Sequence, residues 1–175
     1  MFELIDATAK VSNYNPRAEK HGGENNMAGD LKLLATTGSS VLDFFSKDLR
    51  KALYRKPGQG EHQDLIEGAD GLTAVKFPRL GALPWDEEYP GYELVIAGGL
   101  GLTEPMVLSG VTLKNFKFEA LDGGSLQVTV SALFHPTTEQ AGALCALIQE
   151  DVQITLIPPT KQAKGSKPQQ EDLAA

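Results

Sequence analysis

Eight residues in the first third of the chain have side chains that could hold a phosphate-bearing strand. Arg17, Lys20, Lys32, Arg50, Lys51 and Arg55 supply cations, and Tyr14 and Tyr54 supply rings. A cation that neutralises a phosphate releases a counterion, and a ring stacked on a base contributes roughly 1–3 kcal/mol. All but Lys32 fall into two groups. One lies in the polar stretch NYNPRAEKHGGENN, where Arg17, Lys20 and His21 accompany Tyr14. The other lies in SKDLRKALYRK, where Lys47, Arg50, Lys51, Arg55 and Lys56 fall within ten positions. Each group also has a plainer account: an exposed hairpin tip for the first and a solvated helix face for the second. Basic residues late in a helix also stabilise the negative end of its dipole.

Other chemistries find little material. His62 near Asp64 lacks further metal ligands and reads as a loop histidine. Cys145 has no base near it in sequence and falls among packed helical positions, so a buried, inert thiol is expected. Gly98, Gly99 and Gly101 lack both the third glycine of a dinucleotide fingerprint and the Gly-Lys-Ser/Thr of a phosphate loop, and read as a turn. One cysteine excludes an internal disulfide, and no zinc-binding set of Cys and His exists. No enzyme, cofactor, metal or membrane segment is expected. The net charge is -7 but uneven: residues 1–60 hold nine Lys and Arg against seven Asp and Glu, and the remainder holds seven against sixteen. A generally basic surface is excluded, a local one is not.

The elements that would position these groups can be outlined. FELIDATAKV and DLKLLAT read as strands, joined by the polar stretch into a long hairpin with turn chemistry at Asn13, Asn15-Pro16 and Gly22-Gly23. Ser40 and Asp43 resemble a capping box opening a helix with Leu42, Phe45, Leu49 and Leu53 on one face, Lys47, Arg50, Lys51 and Arg55 opposite, and Pro57 at its end. After a polar connection come a short edge strand at Leu72–Phe77, interrupted by Pro78 and Pro84, and a core or rim anchor at Trp85. A strand in YELVIAGG precedes a long hairpin from Met106 to Phe134, turning at Asp122-Gly123-Gly124. A bulge near Lys114-Asn115 is required because the apolar phase switches there. Thr137 and Gln140 cap a second helix carrying Leu144, Leu147 and Ile148; DVQITLIPP is a last strand, and the low-apolar remainder is a disordered tail. The expectation is one β-rich α+β domain over residues 1–159, built as a small Greek-key, OB-like barrel with two helices, and a flexible tail over 160–175. An open α+β sandwich shares the same element string.

VSNYNPRAEKHGGENNMAGDLKL with the basic helix after it, VTLKNFKFEALDGG, and FHPTTEQAGALCALIQEDVQITLIPP resemble an uncharacterised bacteriophage protein family found with replication and recombination genes. The architecture is more weakly similar to phage OB-fold single-stranded-DNA-binding proteins, which share a long first hairpin, a helix after the second strand and an acidic tail. The end QQEDLAA departs from that pattern, holding only Glu171 and Asp172 where a run of acids is expected. These resemblances imply a non-enzymatic single-stranded-DNA binder acting in replication or recombination in the host cytoplasm. It would have no membrane partner, could form a homodimer, and could contact phage or host replication proteins through the tail. The alternative is a phage structural, assembly or host-factor-interaction protein that binds no nucleic acid.

Overall fold

A computed structural model describes residues 1–21, 24–61, 70–98 and 103–160. The tail beyond Thr160, the Gly22-Gly23 turn, His62, Asp64, Gly99 and Gly101 lie outside the described residues. The chain is strand-rich. β1 (Leu4–His21) and β2 (Glu24–Gly38) lead to α1 (Leu42–Phe45), α2 (Leu49–Leu53) and two short strands, β3 (Tyr54–Arg55) and β4 (Ala74–Val75). There follow β5 (Leu83–Trp85), β6 (Tyr89–Ile96), β7 (Met106–Leu121), β8 (Ser125–Phe134), α3 (Thr138–Ala146) and β9 (Asp151–Ile157).

Seven strands form one antiparallel sheet in the order β5-β7-β6-β9-β1-β2-β8, and β7 also pairs with β8. One long strand is paired along both edges: β6 along Met106–Leu113 and then β5 along Phe116–Phe118 on one edge, and β8 along Thr112–Leu121 on the other. The bulge expected near Lys114-Asn115 is present as a register shift between Lys114 and Lys117, with Asn115 at φ 54°. It returns the apolar phase to the inside, so Leu113, Phe116 and Phe118 are all buried.

Alternate residues fill one continuous core, among them Leu31, Leu33, Leu94, Ile96, Val128, Val130, Ile154 and Leu156. At one end α1 inserts Phe44 and Phe45 among Phe2, Trp85, Tyr89, Phe116 and Phe118, with Phe45 and Phe118 ring centres 4.6 Å apart. Trp85 is thus the rim anchor expected. At the other end α3, opened by the expected reciprocal capping of Thr137 and Gln140, buries Leu144 while Leu147 behind it is also covered.

Three local expectations are corrected. The basic helix is two short pieces, because Ser46 is extended and its hydroxyl accepts the Asp48 N–H, and neither piece has a side-chain cap. The strand expected at Leu72–Phe77 shrinks to Ala74–Val75 and pairs with β3, which takes Tyr54 and Arg55 out of the helix. Cys145 is exposed on α3, since the helix turns Leu144 inward at its expense. The first hairpin also exceeds its outline: pairing runs from Ala9↔Ala35 to His21↔Glu24, so the polar stretch is itself strand.

A candidate anion-binding face

The structure separates the two sequence groups instead of joining them. Arg17 pairs with Ala28 on the hairpin, whereas the Tyr54 hydroxyl donates to the carbonyl of Ser125, which pairs with Gly38. Ala28 and Gly38 are ten residues apart on β2, or about 33 Å at ~3.3 Å per residue. The three arginines are also already partnered. Arg17 binds Glu19 at 2.9 Å, and that carboxylate is held below the usual range chiefly by this hydrogen bond. Arg50 is 8% exposed and donates to Ser39 Oγ at 3.1 Å and Asp70 Oδ1 at 2.9 Å, so it fastens the short helices to the chain around them. Arg55 grips Glu61 with both guanidinium nitrogens at 2.7 and 2.8 Å, which lowers the Glu61 carboxyl to about 2 and raises the arginine. Lys20 and Lys51 are exposed.

Neither tyrosine presents a stacking surface. Tyr14 is 5% exposed and lies close to parallel to Phe134 with ring centres 6.3 Å apart; burial raises its phenol, and the hydroxyl has no hydrogen-bond partner among the described residues. Tyr54 is fully covered, and burial pushes its hydroxyl up to about 12. The expectation that these rings stack on bases is therefore not met. A groove of about 410 Å³ at the α2 end is lined by Arg55, Glu61, Thr73 and Asp122, but its arginine is neutralised by Glu61.

Strand register assembles a different set of cations. Across one row Asn13 faces Lys32, Lys32 faces Ser131 and Ser131 faces Lys114. In the adjacent row Lys10 faces Leu34, Leu34 faces Thr129 and Thr129 faces Lys117. The intervening Val11, Leu31, Leu33, Val130 and Leu113 are buried, so these rows lie on the outer surface of β1, β2, β8 and β7. At ~4.8 Å between strands, Lys32 and Lys114 stand about 10 Å apart at their backbones. Among the described residues, no ion pair involves Lys10, Lys32, Lys114 or Lys117. Ser131, between two of them, is 9% exposed. Asp151 stands directly opposite Lys10 on β9, and Asp30 and Glu119 lie two residues along their strands from Lys32 and Lys117.

Only Lys32 of this set was singled out from sequence. Lys10, Lys114 and Lys117 are isolated along the chain, and pairing alone brings them together. Among the described residues no three His, Cys, Asp or Glu side chains are placed to hold a metal ion, and no helix is long and apolar enough to cross a membrane. The fold and this face define a β-rich α+β protein whose outer sheet surface carries four lysines that form no ion pair among the described residues, with three carboxylates beside them. Family models, curated proteins and solved structures offer no match to the chain.

Proposed function

We propose that the protein is a non-enzymatic nucleic-acid binder that lays the backbone of single-stranded DNA across the outer face of β1, β2, β8 and β7. The observation that supports this reading is the pair of adjacent rows carrying Lys10, Lys32, Lys114 and Lys117, none of which forms an ion pair among the described residues. A flexible single strand can follow a curved sheet surface and bring successive phosphates to lysines about 10 Å apart; a stiff duplex meets such a surface along a narrow line. The pairing of β7 with both β6 and β8 supports the finer reading of the fold as a small Greek-key, OB-like barrel. Phage replication or recombination in the host cytoplasm is the setting that the family resemblance implies.

With both candidate rings in the core, affinity rests on phosphate contacts. Binding is then indifferent to base sequence and steeply dependent on salt, with log K falling by up to about 3 per decade of salt for four neutralised phosphates on a single strand. Fluorescence anisotropy with a labelled oligothymidylate at low and moderate salt tests this. Saturable binding that weakens along that slope supports the proposal. Absence of binding at micromolar protein in low salt refutes it.

A further inference from the structure

The inward row of the first hairpin continues beyond the core. Tyr14↔Leu31, both buried, is followed on the same face by Pro16↔Gly29 and Ala18↔Met27. Here the flanking strands have ended: β9 last pairs at Lys10, Gln149 and Glu150 bond to Val11, and β8 last pairs at Gly29. Residues Asn13 to His21 of β1 and Glu24 to Ala28 of β2 therefore form a two-stranded arm whose outer edges have no partner strand among the described residues. The β1 edge spans about 26 Å at ~3.3 Å per residue. Pro16, Arg17, Ala18, Asn26 and Met27 line an apolar concavity of about 310 Å³ on this arm, and Met27 is 36% exposed. A two-stranded ribbon is marginal in water by itself, and an unpaired edge is a template for another strand.

We propose that this arm pairs with the arm of a second copy of the chain, β1 edge to β1 edge, antiparallel about a two-fold axis through Ala18. The charge pattern identifies both the occupant and the register. Arg17 and Glu19 share a face, one residue to either side of Ala18, and His135 Nε2 lies 3.6 Å from the second Glu19 carboxylate oxygen. A two-fold axis at Ala18 sets Arg17 against the partner's Glu19 and Glu19 against the partner's Arg17, extending the existing ion pair into an alternating set of four charges. An axis at Arg17 or at Glu19 would instead oppose like charges, which is unfavourable for directly facing cross-strand residues. A foreign strand would need the complementary order supplied to it, whereas a second copy carries it already, as an isologous contact requires. The same register places the two Ala18 methyls at the centre and merges the two apolar concavities into one covered stripe. Pro16, which lacks an N–H, falls away from the centre opposite the partner's Lys20. The contact uses none of the four lysines, so it stands independently of the nucleic-acid reading.

Light scattering on the full-length protein during size exclusion reads the outcome as mass. The wild type is expected to be a dimer at micromolar concentration, Arg17→Glu and Glu19→Arg each a monomer, and the combined Arg17→Glu, Glu19→Arg exchange a dimer again. Ala18→Cys in a Cys145→Ser background is expected to oxidise to a covalent dimer. A monomeric wild type overturns the proposal, as does a dimer that persists through both single reversals. Oligonucleotide binding measured on the same samples reports separately on the lysine face.

Discussion

Arg17, Arg50 and Arg55 carry the same charge as the four lysines of the outer sheet face and are used differently. At the α2 end, Arg50 and Arg55 hold Ser39, Asp70 and Glu61, and on the arm Arg17 holds Glu19. On the outer sheet face, Lys10, Lys32, Lys114 and Lys117 hold nothing among the described residues. The planar guanidinium, with its several fixed donors, suits structural fastening to carboxylates and hydroxyls. The lysine ammonium on a flexible stem remains available to a diffusible anion. A cluster of cations in the sequence is therefore a poor guide to an anion site when acidic side chains fold back onto it.

The sharpest way to break this contrast is to reverse charge on the free set. Lys32→Glu with Lys114→Glu is expected to weaken oligonucleotide binding by about 10- to 100-fold, since two phosphate contacts are replaced by repulsion. Because the partners in that row are Asn13 and Ser131, the unfolding midpoint in urea should stay near that of the wild type. Arg50→Ala should do the converse. Its loss leaves the buried Ser39 hydroxyl and Asp70 without their donor, a cost of about 1–3 kcal/mol in urea unfolding, with oligonucleotide affinity unchanged. If Arg50→Ala abolished binding while stability held, the division of labour would be wrong.

Smaller effects sharpen the same contrast. The Glu61 carboxyl is depressed to about 2 by Arg55 and by the Gly58 N–H, so its contribution to folding is present above the unfolded carboxylate range and fades as pH falls toward 2. Wild type and Glu61→Gln should thus differ in stability at neutral pH and converge near pH 2, with the gap narrowed by salt because both partners are about half exposed. Chemical unfolding at the two pH values checks it. Smallest of all is Tyr14→Phe: removing a buried hydroxyl without a partner should leave stability within about 1 kcal/mol of the wild type, or raise it, and leave DNA affinity untouched.

Where local pattern decided the structure, it could be read directly. The hairpin from Met106 to Phe134, its bulge beside Asn115 and the Thr137-Gln140 capping box all follow from phase, turn residues and spacing, and all are present. The two tyrosines were misplaced for a specific reason. A register shift between Val11 and Asn13 moves the buried phase of β1 from odd to even residues, from Ala9 and Val11 to Tyr14, so Asn13 marks a bulge within the strand and not a turn. Helical spacing carries Tyr54 within the element that Pro57 closes, but β3 pairs it with Val75 and its ring is buried. The lysine face was hidden for another reason: its members are spread from Lys10 to Lys117, and only the non-local pairing of four strands brings them side by side.

The central claim concerns location, and backbone amide shifts of isotopically labelled protein titrated with an oligothymidylate test it most directly. The account predicts perturbations concentrated on the outward residues of β1, β2, β8 and β7 around Lys32, Ser131 and Lys114, lessening as salt is raised. Shifts centred on the α2 end around Arg50 and Arg55, or none at all, would contradict it.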